Sequence, residues 1–157
     1  MKDVLVVYYS RTGRTRWVAE QLAAILDADI EEVLDAKDRS GAVGFLTGGC
    51  DATFKRSTAL SSEHSTQGRK VVVVGMPVWA FGPPPAVRAY LGRVNLAGVK
   101  VCAFCTMDGS GGGRTFREVA SLLPHHIETS LALVKPRADE PATLEKLRAW
   151  AAQIPSS

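Results

Sequence analysis

Four consecutive valines, Val71 to Val74, followed by Gly75-Met76, constrain this chain more than any other feature. A run with no polar position cannot keep one face in water. As a strand it must be covered on both faces, the situation of a strand inside a parallel sheet. Val4–Tyr9 and Val99–Thr106 are apolar runs of the same kind. Asp29–Leu34 is shorter and more polar, as an edge-side strand would be, and Thr129–Val134 is the weakest strand candidate. Helical stripes fall between and after them. Arg14–Leu26 carries Trp17, Val18, Gln21, Leu22 and Ile25, and Pro84–Leu91 opens on prolines and carries Val87, Tyr90 and Leu91. Thr115–Leu123 carries Phe116, Val119, Leu122 and Leu123, and Pro141–Ile154 carries Leu144, Leu147, Trp150, Ala151 and Ile154. Strands alternating with helices predict a doubly wound α/β sheet. Right-handed crossovers then gather every strand-to-helix loop on one edge, where such sheets bind ligands.

The 157 residues, 46% hydrophobic, fit one domain over 1–154, with Pro155-Ser156-Ser157 as a frayed tail. No apolar run approaches the ~18 residues that span a bilayer, and Val4–Tyr9 is too short for a signal-peptide core, so a cytoplasmic location is expected. The net charge of +3 is no nucleic-acid signature by itself. The stretch Ala36–Gly68 is ambiguous: Gly44-Phe45-Leu46 and Ala52-Thr53-Phe54 suit a helix interrupted at Gly48-Gly49, and Ser57–Gly68 reads as an exposed polar loop.

The three cysteines, Cys50, Cys102 and Cys105, give an odd count that argues against a disulfide framework. Cys102 and Cys105 form a C-x-x-C, but inside a strand positions i and i+3 point to opposite faces. They are expected to be core thiols, and no metal site is expected.

Three loops behind apolar strands carry the functional signal. Ser10-Arg11-Thr12-Gly13-Arg14-Thr15 follows the first strand and leads into a helix. A strand, a turn with hydroxyls and a glycine, then a helix start aims N–H groups and the positive helix end at one point, which suits a phosphate. An ordinary capped helix start needs only one Ser or Thr. G-x-x-x-x-G-K-[ST] is absent, and G-x-G-x-x-G does not follow this strand. The second loop, Gly75 to Pro85, sets Trp79 and Phe81 in a proline-stiffened segment. Such an aromatic pair either caps the core at the sheet edge or stacks on a planar ring, and a stiff loop at the functional edge suits the second use. The third, Thr106 to Gly113, is glycine-rich and lets backbone N–H groups approach a ligand. It is not a hydrolase elbow, because Asp108 stands where G-x-S-x-G has its first glycine.

Taken together these segments resemble flavodoxins. The first loop is similar to the [ST]-x-T-G-x-T phosphate loop, the second to the G-x-P-x-W segment beside the isoalloxazine, and the third to T-x-G-G-S-G-x-G of bacterial flavodoxin-like proteins. The resemblance implies a five-stranded parallel sheet in the order 2-1-3-4-5, with FMN at the first and third strands. By position, Ser10, Thr12, Gly13 and Thr15 would bind the phosphate, with Arg11 and Arg14 adding backbone N–H groups and charge. Pro77, Val78, Trp79, Ala80 and Phe81 would line one side of the flavin. Thr106, Met107, Asp108, Gly109, Ser110 and Gly111 would hold the pyrimidine edge and the other side. Three features depart from the family's usual pattern: the chain is basic, Asp108 replaces a glycine or serine, and the acidic loop around the flavin of typical electron-transfer flavodoxins is missing.

What the resemblance implies functionally is a non-covalent FMN redox protein, in which the flavin does the chemistry and no catalytic side chain is required. The leading expectation is electron transfer from a reductase to an acceptor, with a redox partner protein or NAD(P)H as partner and neither nucleic acid nor membrane insertion. An NAD(P)H-dependent quinone reductase is the alternative, and a non-catalytic FMN-binding module the third.

Overall fold

The valine run forms the middle of the sheet. In the computed structural model, described over residues 1–35 and 65–156, the elements are β1 (Val4–Tyr8), α1 (Arg14–Leu26), β2 (Asp29–Glu32), β3 (Val71–Pro77), α2 (Pro85–Arg93), β4 (Lys100–Met107), α3 (Gly112–Ser121), β5 (Ile127–Val134) and α4 (Pro141–Ala151). All strand pairs are parallel, in the order β2-β1-β3-β4-β5. This is the order the sequence resemblance implied. The helical and loop readings placed on residues 36–64, and Cys50, lie outside the described residues.

Both faces of the sheet are covered, and β3 supplies both cores alternately. Val72 and Val74 pack with Val87, Tyr90 and Leu91 of α2 and Val119 of α3. Val71 and Val73 pack with Val18 and Leu22 of α1 and Leu147 and Trp150 of α4. All four valines are at most 1% exposed, and each such burial is worth about 1.5–3 kcal/mol. β2 lies at one edge, as its polar residues predict, and β5 at the other.

Element ends differ from the sequence reading where tertiary context decides them. β5 begins at Ile127, not Thr129, because a register irregularity against β4 separates its start from the rest. Ile127 pairs with Val101 and joins the α2/α3 core, whereas Leu131 pairs with Phe104 and packs on the α1/α4 side. An extra residue in one strand turns its side chains over in this way. α3 begins at Gly112, so part of the glycine loop is the helix's first turn. Ile25, placed on the buried stripe of α1 by periodicity, is 37% exposed. No helix among the described residues is long and apolar enough to cross a membrane.

The C-x-x-C divides as the strand period requires. Cys105 joins the α2/α3 core and Cys102 the α1/α4 core, both fully buried. Burial pushes the Cys102 thiol up to about 11 and the Cys105 thiol up to about 12, from an ordinary 9.0. A raised folded-state value means the fold is favoured while the unfolded thiols stay neutral. That stability is complete below about pH 9 and is lost as pH rises through the folded values. Urea midpoints measured from pH 7.5 to 10.5 are expected to fall at the alkaline end. They should fall less in Cys102→Ala/Cys105→Ala, which lacks the two buried thiols. An alkaline slope unchanged in that variant would count against the thiols as its source.

Candidate functional site

The carboxyl ends of β1, β3 and β4 point to one edge, and the three loops meet there. Between them lies a cavity of about 250 Å³ lined by Arg11, Thr12, Arg14, Thr15, Pro77, Val78, Trp79, Thr106, Met107 and Asp108. Of the expected site residues, the cavity lining leaves out Ser10, Gly13, Ala80, Phe81, Gly109, Ser110 and Gly111. Several of these shape the loops. Ser10 Oγ accepts the Gly13 N–H at 3.1 Å, closing the first loop on itself. Gly13 precedes α1 with φ 95°, and no side chain caps the helix. The first N–H groups of α1 therefore have no side-chain cap, and the positive end of the helix opens beside the cavity. α3 starts in the same manner, from Gly111 at φ 104° with no side-chain cap.

The first and third loops are tied together twice. Thr15 and Thr106 share a buried hydroxyl–hydroxyl hydrogen bond of 2.9 Å. Arg14 Nη1 donates to Asp108 Oδ1 at 2.9 Å across the exposed rim. Asp108, the departure from the usual loop pattern, thus faces Arg14 of the first loop. Such an exposed pair is worth at most about 1 kcal/mol. The arginines of the first loop do not form one positive patch. Arg16 turns away to Glu32, donating to both carboxylate oxygens at 2.7 and 2.9 Å, and its Nε reaches the Tyr8 hydroxyl at 3.2 Å. Hydrogen bonding to Glu32 holds Arg16 above its ordinary value, and burial raises the Tyr8 phenol. Glu32 sits on the neighbouring strand, so no local sequence signal joins it to Arg16.

The second loop divides its aromatics. Trp79 is only 6% exposed and meets Tyr9 edge-on, ring centroids 5.4 Å apart. It belongs to the core while also lining the cavity. Phe81 is 53% exposed and lies outside the lining. The two ends of the turn exchange hydrogen bonds, Trp79 N–H to Gly82 O and Gly82 N–H to Trp79 O, both 2.9 Å. Ala80 and Phe81 between them have φ of 48° and 61°. Positive φ at both central residues is the pattern of a type I′ turn. Each non-glycine residue held there costs about 1–2 kcal/mol. Nothing in Ala80-Phe81 announces this turn, since Gly or Asn is the usual signal. On its other flank a Cβ added at Gly111 would lie 2.9 Å from both Phe81 Cδ1 and Val78 Cγ1. The second and third loops therefore touch at a glycine.

The Flavodoxin family model matches residues 49–154 of the chain. The chain belongs to the flavodoxin family. That match spans the second and third loops, and the first loop joins them through the contacts just described. Solved flavodoxin-like structures agree with the fold. A candidate flavoprotein from Bacteroides uniformis superimposes with a TM-score of 0.80 at 22% identity, covering 96% of this chain and 97% of that one. A flavoprotein in complex with FMN from Lactobacillus acidophilus gives 0.69 at 21% identity, covering 84% and 93%. Oxidised flavodoxin 2 from Bacillus cereus gives 0.59 at 18%, covering 97% of each. At such identities these likenesses speak for the flavodoxin fold alone. No curated protein matches the chain.

Proposed function

We propose that this chain binds FMN at the carboxyl edge of its sheet and passes electrons from a reductase to an acceptor. The observation that carries the reading is the uncapped start of α1, behind a glycine and flanked by Thr12 and Thr15, at the cavity between the loops. Unpaired backbone N–H groups with a favourable dipole are a ready anion site. The family and the FMN complex of the Lactobacillus acidophilus flavoprotein support the same assignment. The residues present fit the group: hydroxyls and N–H groups at one end of the cavity, and Val78, Trp79 and Met107 at the other.

Bound there, FMN would supply the redox chemistry. The chain's own part is to hold and orient it. Ser10 closes the first loop, Thr12 and Thr15 present hydroxyls to the phosphate, and Arg11 and Arg14 add positive charge. Pro77, Val78 and Trp79 would form the wall on one side of the ring, and Thr106, Met107 and Asp108 would line the other. Arg11, Arg14 and Asp108 are the ionisable side chains of the cavity lining, and Arg14 and Asp108 pair with each other. No nucleophile or acid–base pair stands among those residues, which favours electron transfer over group-transfer chemistry.

Purified protein is expected to hold one FMN per chain and to bind FAD more weakly, because one phosphate loop is present and no second nucleotide motif. Titration followed by absorbance checks this, and tighter FAD binding or no flavin binding would refute it. NADPH added to the loaded protein under anaerobic conditions should leave the yellow colour until a reductase is supplied. Bleaching by NADPH alone would instead identify an NAD(P)H-dependent reductase.

A further inference from the structure

The turn Trp79–Gly82 is held in a costly shape, and something must over-determine it. Beneath it lies a buried ion pair. Arg88 of α2 and Glu118 of α3 are joined by a hydrogen bond from Arg88 Nη2 to Glu118 Oε2, with side chains only 7% and 13% exposed. Arg114 Nε donates to the other oxygen of Glu118 at 3.3 Å. Gly82 sits directly on this pair: a Cβ there would lie 2.9 Å from Glu118 Oε2 and 3.3 Å from Arg88 Nη2. The opposite flank of the turn leans on Gly111. The turn is thus pinched between an ion pair and a glycine.

Taking two charges out of water is rarely the best way to gain stability, since apolar side chains of similar size often do as well. Here the arrangement is also incomplete, because the buried Nε–H of Arg88 has no hydrogen-bond partner among the described residues. The pair does bind α2 to α3 at the point where the second loop returns to the fold. A glycine Cα fits closely against the paired ends of Arg88 and Glu118, and a side chain there would have to push those ends aside.

We propose that Arg88 and Glu118 are positioning residues: their ion pair seats the turn Trp79–Gly82 and so fixes where Val78 and Phe81 stand beside the cavity. The inference rests on the FMN reading for the ligand, but the seat itself can be tested without any flavin.

Hydrogen exchange in the ligand-free full chain reads the Trp79 and Gly82 amides, which bond to each other's carbonyls. In Arg88→Met/Glu118→Leu both partners go together, so no lone charge is left buried. The two turn amides are expected to exchange about tenfold faster or more, relative to amides of β3 and β4. Gly82→Ala keeps both charges but sets a methyl group against their paired ends, and is expected to have the same effect; it decides the matter if the double variant fails to fold. With flavin added, riboflavin and FMN should lose affinity by equal factors in both variants, and the visible band of the bound flavin should change shape. Turn amides that keep their protection relative to the core would overturn the proposal. So would a loss confined to FMN, which would place the defect at the phosphate end. A wild-type chain that binds no flavin refutes the FMN reading and with it the ring-side assignment of the turn. Exchange still reports on the seat in that case.

Discussion

Alanine at Thr12 and Thr15 together is expected to weaken FMN by a factor of a hundred or more while leaving riboflavin nearly unchanged. A hydrogen bond to a charged phosphate contributes roughly 1.5–3 kcal/mol, and two such bonds act here. The two threonines differ in a way that separates binding from stability. Thr12 is exposed, so Thr12→Ala should change affinity alone. Thr15 is 2% exposed and shares its hydrogen bond with Thr106. If Thr106 donates to Thr15, the Thr15 proton is left to point into the cavity. Thr15→Ala then removes that donor and strands the buried Thr106 hydroxyl, at a further cost of about 1–3 kcal/mol in folding stability. Calorimetric titration with the two ligands, beside urea unfolding, checks both parts. Equal losses for FMN and riboflavin would show that this loop is not the phosphate site.

The second large effect is expected from Gly75→Ala. A Cβ at Gly75 would lie 2.1 Å from Cζ of Phe104 and 2.4 Å from its Cε1. Phe104 is fully buried and packs edge-on against Trp150, ring centroids 6.4 Å apart, so its ring has little room to give way. Overpacking of this kind costs about 1–3 kcal/mol and sometimes more, and this contact lies at the severe end. Urea unfolding should show a loss of at least about 3 kcal/mol, with flavin affinity kept in whatever fraction remains folded. Gly75→Ala/Phe104→Leu should be more stable than the sum of the single changes, because the shorter side chain vacates the clash. Simple additivity would count against the ring as the cause. The glycine of the G-x-P-x-W segment is therefore explained by packing, without reference to a ligand.

The sheet was legible in the sequence because its evidence is local. Apolar runs such as Val4–Tyr9 and Val99–Thr106 can only be buried strands, and the polar Asp29–Leu34 belongs at an edge. The loops were legible for the same reason, since hydroxyls and glycines directly behind strands carry their own geometry. What escaped depends on residues distant in the chain. Arg16 follows the phosphate loop directly in the chain, yet its partner Glu32 lies on β2. The contact of Asp108 with Arg14, the seat of Arg88 and Glu118, and the depth of Trp79 against Tyr9 are likewise set by the fold. The positive φ of Ala80 and Phe81 runs against their own preference, and no composition rule announces it. The early start of β5 is hidden because an added residue breaks the alternation that marks a strand.

The valine run that feeds both cores has a cost for folding specificity. Sliding β3 by one residue would exchange valine for valine along most of its length, so burial scarcely distinguishes the native pairing from its neighbours. The difference lies at the end of the run. In the native alignment Gly75 stands opposite Phe104. A slip by one residue brings Met76 or Val74 to that place, where the ring leaves no room for a side chain. Gly75 thus acts as the notch that indexes an otherwise uniform strand. Because the cavity opens just beyond it, at Pro77 and Val78, the same notch sets the second loop at its proper height against the other two.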